Sequence, residues 1–425
     1  MLHYKSKCKG YIYKINLEVN EIKKISENRW LIVLGTVIAQ LGLGTIYTWS
    51  LFNQPLANKF GFELNKVAIT FSITSFALAT STLAAGKVQD KLGIRKLTSI
   101  ASIVLGLGLI LTSITSSLPM LYITAGVIVG AADGIAYITT LSNCIKWFPD
   151  KKGLISGISV GAYGTGSLVF KYINGSLINN VGVSKTFVYW GLIAMILILI
   201  GAQFLKDAPL VSNYSTDKDE NEYSVKEMLK TKKAYALFLI LFTACMSGLY
   251  LIGIVKDIGV QLVGLTPEVA ANAVAMVAIF NTAGRIILGA LSDKMGRLKV
   301  VILSLSITTI SVFVLSFVHL NFAIFFACVS SIAFCFGGNI TVFPAIVGDF
   351  FGAKNQTKNY GIIYQGFGLG AISGSLISSV TGGFKLTFVV IGALCLLSIV
   401  LAYAVQATPF YKKPNNTPKF VEKVA

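Results

Sequence analysis

Two ionisable side chains stand where this chain can least tolerate them. Arg285, in FNTAGRIILGALSDK, and Asp133, in GAADGIAYITTLSNC, are each set inside long apolar runs. A guanidinium can grip a carboxylate through two parallel hydrogen bonds from its planar fork. A carboxyl group can carry a proton or balance a cation. Arg285 precedes Asp293 by eight residues, which at 1.5 Å per residue sets it about 12 Å along a helix. An unpaired arginine in hydrocarbon costs at least about 2.5 to 3.5 kcal/mol, so it must face a wet cavity or a partner. The bland readings are snorkelling towards the lipid headgroups or a permanent salt bridge. Asp133 must likewise be protonated, paired with Arg285 or exposed to cavity water.

The elements that position these groups follow from composition. Of the 425 residues, 54% are hydrophobic and 13% charged, with a mean hydropathy of +0.73. That is too little charge to cover a water-soluble protein of this size. Crossing about 30 Å of hydrocarbon takes roughly twenty apolar residues, and such runs recur at 30-54, 66-86, 97-116, 120-146, 153-177, 184-205, 234-255, 268-290, 299-319, 321-347, 359-380 and 385-407. The first run is too long for a signal peptide and is followed by further spans. An all-α integral membrane protein with twelve transmembrane helices is expected.

The net charge of +18 follows the same plan. With both termini inside, and the residues that end a span counted with the adjoining loop, 29 of the 36 Lys and Arg fall in inner loops, linker and tails, five in outer loops (Lys59, Lys66, Lys185, Lys256, Lys385), and two, Lys171 and Arg285, in span interiors. This asymmetry is the positive-inside pattern of a multi-pass protein of the cell membrane with cytoplasmic termini. The basicity serves topology and the lipid bilayer, and implies no nucleic acid. Lys171, near the outer surface, reads as a snorkelling residue. The six cysteines are scattered without metal-ligand spacing and read as small apolar packing residues, and the two histidines, His3 and His319, stand apart, so no metal or cofactor is expected.

An internal repeat divides the chain. GKVQDKLGIRK after the second span matches GALSDKMGRLK after the eighth: Gly86, Asp90, Lys91 and Gly93 correspond to Gly289, Asp293, Lys294 and Gly296 at a constant offset of 203 residues. Glycine allows close helix approach, aspartate can accept hydrogen bonds at a neighbouring helix N-terminus, and the lysines anchor the loop at the inner lipid surface. The expected organisation is an N-terminal tail (1-29), a six-helix bundle (30-205), a polar cytoplasmic linker (206-233) with a short surface helix near 224-230, a second six-helix bundle (234-407) and a C-terminal tail (408-425). Glycines recur every fourth residue at Gly153, Gly157 and Gly161, and at Gly366, Gly370 and Gly374. They are expected to let helices of opposite halves pack closely and rock.

The repeated Gly-x3-Asp-Lys-x-Gly loop with trailing basic residues resembles the signature loop of the major facilitator superfamily, and the twelve-span layout agrees over residues 30 to 407. More narrowly, GTIYTWSLF (44-52), IKWFPDKKG (145-153), YSVKEML (223-229) and VFPAIVGDFFGAKNQTKNYG (342-361) resemble the oxalate/formate antiporter family. The resemblance implies two pseudo-symmetric six-helix bundles around a central site. It also implies that Arg285 binds a substrate carboxylate, and that Tyr47 and Tyr137 line the cavity. Relatives pair that arginine with a lysine on the eleventh helix. Here the matching position reads as Phe367, which aligns with Tyr163 of the first half at an offset of 204. With the second cation gone, a monocarboxylate suits the site better than a dianion.

The expected function is secondary active transport of a small organic anion, a formate-, pyruvate- or lactate-like monocarboxylate, by alternating access with proton symport or anion exchange. The partners would be the acid and protons or a counter-anion, with the protein acting as a monomer. Arg285, Tyr47, Tyr137, Tyr163 and Phe367 are the candidate substrate contacts, and Asp133 the candidate proton carrier. No Walker loop, metal cluster or nucleophile elbow is present, so no enzymatic activity is expected. Two alternatives remain at this stage: a proton-coupled exporter of cationic or neutral drugs with Asp133 as cation site, and a non-transporting carboxylate sensor.

Overall fold

The computed structural model describes residues 29–62, 64–208 and 222–407, all helical or connecting. The predicted tails and most of the predicted linker lie outside the described residues. The spans are α1 (Arg29–Trp49), α2 (Leu64–Leu92), α3 (Ile94–Thr112), α4 (Leu118–Lys146), α5 (Lys152–Val181), α6 (Val183–Phe204), α7 (Lys232–Gln261), α8 (Pro267–Met295), α9 (Arg297–Phe317), α10 (Phe322–Phe351), α11 (Gln356–Ile363 continued by Gln365–Thr381) and α12 (Phe384–Ala407). Eleven are continuous helices long and apolar enough to cross a bilayer. The twelfth, α11, is tightened at Tyr364, where the Phe367 amide bonds to the Tyr364 carbonyl three residues back.

Several helices outrun the predicted spans, because a helix stops at a backbone signal and not at the edge of the hydrocarbon. α2 ends at Gly93 and α8 at Gly296, whose φ values of 76° and 94° admit glycine with little strain. These are the last glycines of the repeated loop. The first predicted span, by contrast, ends early: a 3₁₀ segment at Gly44–Leu51 gives way to a separate helix, Asn53–Phe60.

Helix pairing repeats across the halves. In the first, α2 packs on α4, α3 on α6 and α1 on α5; in the second, α8 packs on α10, α9 on α12 and α7 on α11. The halves meet along two seams that the same twofold interchanges, α5 against α8 and α2 against α11. On the first seam, a Cβ on Gly157 would stand 2.7 Å from the Arg285 carbonyl oxygen, and one on Gly153 would collide with the Gly289 carbonyl. The second seam differs from expectation. Gly366, Gly370 and Gly374 face Phe238, Phe242, Met246 and Tyr250 of α7, inside their own half, whereas Gly361 and Gly368 meet Thr82 and Ala79 of α2. At 3.6 residues per turn, the 366/370/374 stripe and the 361/368 stripe point different ways.

The repeated aspartates tie the halves together at the end of the bundle that carries the basic loops, here called the basic end. Asp293 accepts from the amides of Gly153 (2.9 Å) and Leu154 (2.8 Å) at the start of α5, where the helix dipole favours an anion. Arg297 bonds to Asp293 at 2.8 Å and also pairs with Asp349, which Lys152 reaches at 2.7 Å. Asp90 pairs with Lys358 of α11, and Gly86 lies against the Lys358 stem. Lys91 and Lys294 are exposed. The short linker helix spans only Val225–Met228, opened by a capping box of Ser224 and Glu227.

Candidate functional site

Between the halves, at the middle of the bundle, lies a small cavity lined by Tyr47 of α1, Leu78 of α2, Tyr137 of α4, Val160 and Tyr163 of α5, Arg285 of α8, Ile340 of α10 and Tyr364 of α11. Its free volume is about 10 Å³, close to what one water molecule needs. Arg285 is the one charged side chain among the described residues that line it.

Arg285 is 2% exposed and reaches neither headgroups nor a carboxylate. Its Nη1 donates to the Val160 carbonyl across the seam at 2.7 Å, while Nε has no hydrogen-bond partner. Missing side chains make its room: a Cβ on Gly164 would lie 3.3 Å from Nη1, and one on Gly337 would lie 3.1 Å from Cγ. A guanidinium held at one corner by a neutral carbonyl keeps donors in hand for an anion.

The tyrosines form a connected wall. Tyr47 and Tyr137 each stand edge-on to Tyr163, with centroids 5.2 and 5.3 Å away, and Tyr137 is 5.6 Å from Tyr364. Phe71 continues the row behind Tyr47. Edge-to-face rings of this kind hold one another in place. Gln40 braces Tyr137 from behind, donating to its backbone carbonyl at 3.2 Å and to Thr140 at 3.0 Å.

Asp133 stands one layer back. It is fully buried; the Tyr163 hydroxyl donates to its Oδ1 at 3.1 Å, and its Oδ2 has no hydrogen-bond partner. Among the described residues no ion pair joins it to Arg285, so Tyr163 is the link between the carboxyl and the cavity. Gly130 and Gly134 on the same helix press α4 against the α2 backbone at Thr74 and Leu78.

The structure thus brings Arg285, Tyr47, Tyr137 and Tyr163, expected from the sequence as substrate contacts, around one cavity, with Asp133 behind Tyr163. Phe367 departs from it. That ring is buried outside the lining and stacks on Tyr364 at 5.0 Å and 6°. The eleventh helix presents Tyr364, one turn before Phe367, to the cavity instead. Tyr364 ends the NYGIIY stretch, and the helical i, i+3 relation of the two aromatics was the available signal. Leu78, Val160 and Ile340 carried none, since apolar residues abound in every span. Lys171 lies over the Tyr172 ring at 5.9 Å, away from the cavity.

Five described cysteines, Cys144, Cys245, Cys328, Cys335 and Cys395, are free and buried. Among the described residues no cluster of His, Cys, Asp or Glu is arranged to hold a metal ion.

Two six-helix groups related by a twofold, meeting around one charged and aromatic cavity, define a multi-pass membrane carrier. The chain belongs to the Major Facilitator Superfamily, whose family profile matches residues 32–261 and again 237–424; it is a secondary transporter and not an enzyme. It is 47% identical over 348 residues to the uncharacterized MFS-type transporter YhjX of Escherichia coli K12, spanning 81% of this chain and 86% of that one. It is 29% identical over 389 residues to the oxalate:formate antiporter of Oxalobacter formigenes, spanning 88% and 91% respectively. The fold matches that of the superfamily transporter FucP in its outward conformation, with a TM-score of 0.71 at 13% identity over 89% of this chain and 99% of that one.

Proposed function

We propose that this carrier moves a small monocarboxylate of formate, lactate or pyruvate type, gripped by Arg285 while the four tyrosines orient and enclose it. The observation that carries the reading is a single buried guanidinium in the cavity lining with no carboxylate on it. One cation balances one carboxylate, and a second would enter an apolar, aromatic wall uncompensated. The free space of about 10 Å³ favours small acids, because an anion must part the tyrosine rings to enter. Similarity to an antiporter named for oxalate and formate supports a short-chain acid as cargo.

In this reading the protein works as a monomer in the cell membrane with the basic end cytoplasmic, following the positive-inside pattern. The bundles 30-205 and 234-407 rock about the site. Asp133 carries the coupling proton, delivered past Tyr163. Uphill cation export is disfavoured, because a cationic drug would meet Arg285 before Asp133.

The test is uptake of radiolabelled formate, lactate, pyruvate and oxalate into proteoliposomes of purified protein, with and without a pH gradient. Saturable uptake of a monocarboxylate that exceeds oxalate uptake and is lost in Arg285→Gln is the expected result. Equal uptake by Arg285→Gln would place the anion elsewhere, and an absence of flux for every acid would favour a sensor.

A further inference from the structure

The segment that enters the second half from the linker is fastened to one particular loop. The Glu222 carboxylate accepts from the Ala353 amide at 3.0 Å through Oε1, and from the Lys354 amide at 3.1 Å through both oxygens. The Tyr223 amide donates to the Phe351 carbonyl at 3.0 Å. The Tyr223 carbonyl accepts from Asn355 at 3.1 Å and from Asn359 at 3.0 Å. Its ring stands edge-on to Phe351, with centroids 5.7 Å apart. A few residues on, Met228 is fully buried and Thr231 caps α7, so the segment is anchored at both ends.

The connection so held, residues 352–355, joins α10 to α11, whose first turn carries Lys358, the residue that crosses to Asp90 of the first half. It is short and turns at Gly352, whose φ of 85° gives the backbone freedom. The start of α11 is held on the α10 side by Gln356, whose Nε2 donates to the Pro344 carbonyl at 2.9 Å. The two Asn side chains on the Tyr223 carbonyl, one of them on α11 one residue past Lys358, fix it from the linker side.

We propose that Glu222 and Tyr223 are positioning residues for the gate at the basic end: they hold the α10–α11 loop so that Lys358 meets Asp90, and the linker thereby sets how often that end opens. The stretch between the bundles is then an input to transport as well as a tether.

Because the Glu222 bonds lie in solvent-exposed surroundings, replacing this residue hands two amides to water and leaves folding intact. In full-length protein with Cys8→Ser, cysteines replacing the exposed Lys96 and Lys299, one in each half at the basic end, carry spin labels whose separation reports opening. Glu222→Ala is expected to raise the widely separated population about fivefold or more, the usual lower range for coupling between sites. Glu222→Gln, which keeps one acceptor oxygen, should fall between. In a Lys358→Met background the Glu222→Ala effect should vanish, since residues acting through one shared pair are not additive. An unchanged separation in Glu222→Ala overturns the proposal, and so does an equal added shift in Lys358→Met. A drop in melting temperature without a shift in separation marks a merely structural role and overturns it too. The readout needs no substrate, so it stands or falls apart from the monocarboxylate reading.

Discussion

Tyr163 donates its hydroxyl to Asp133 at 3.1 Å while its ring forms part of the cavity wall. A fully buried carboxyl thereby lies one hydrogen bond from the cavity wall. Tyr163 of α5 and Tyr47 of α1 are the titratable groups within its electrostatic reach, and Tyr163 leads from it to the cavity that Arg285 lines. The packed stretches of α2 (67–86) and α3 (97–112) carry none. A proton on Asp133 and an anion on Arg285 would therefore balance each other across the Tyr163 wall in a medium of low dielectric.

Removing either end of that bond should separate coupling from binding. Asp133→Asn and Tyr163→Phe are expected to keep ligand-induced stabilisation by the transported acid and to keep exchange between labelled and unlabelled acid. Both should lose accumulation driven by an inward proton gradient, about tenfold per pH unit for one coupled proton. Proteoliposome uptake at several internal and external pH values checks this. Unchanged gradient-driven accumulation in Asp133→Asn would assign the coupling to another group or to anion exchange.

Arg285 yields a graded prediction, because charge and shape can be removed separately. Arg285→Gln should weaken acid binding about tenfold to a hundredfold, the range for a charge-assisted hydrogen bond. Arg285→Lys should recover part of the loss, since it restores charge without the fork. Thermal shift of purified protein against increasing formate, lactate or pyruvate measures both, and the ligand-dependent rise in melting temperature should shrink in the order wild type, Lys, Gln.

Tyr364 and Phe367 make opposite predictions at neighbouring turns. Tyr364→Lys puts a second cation on the lining and should raise the preference for oxalate over formate. Phe367→Lys buries a charge behind the wall, away from the cavity, and should lower the melting temperature without changing the preference. Competition of each acid against a labelled monocarboxylate decides between the two positions.

What could be read from the residues alone divides along physical lines. Hydrophobic length and the placement of lysines gave the twelve spans, and a repeat as short as Gly86-Asp90-Lys91-Gly93 gave the two halves, because both features are written locally. Arg285 and Asp133 stood out because charge within hydrocarbon is costly. The partners of those charges were not written locally: Arg285 bonds to a backbone carbonyl, Val160, and Asp133 to a tyrosine thirty residues on. Spacing could not tell which glycine stripe of α11 faces which helix, and one turn of register moved Phe367 out of the lining. The SVKE capping box before α7 is legible in the sequence, whereas the Glu222 contacts beside it have no sequence signature.

The α5–α8 seam offers a last prediction, in which one substitution has opposite consequences at two sites. Alanine in place of glycine inside a helix is intrinsically worth about 0.5–1 kcal/mol in favour of the helix. At Gly175 a Cβ meets nothing within 4 Å, so Gly175→Ala should leave the melting temperature unchanged or slightly raised. At Gly157 the same atom would stand 2.7 Å from the Arg285 carbonyl oxygen and 3.3 Å from the Ile286 Cα. Backbone cannot turn aside as a side chain can, so the helices must part, at a cost of about 1–3 kcal/mol. Gly157→Ala should therefore lower the melting temperature by a few degrees. Because the strained contact exists only while the two halves are closed at this seam, it should also lengthen the Lys96–Lys299 separation. A lower melting temperature with an unchanged separation would mean that α5 and α8 stay in contact as the bundles move.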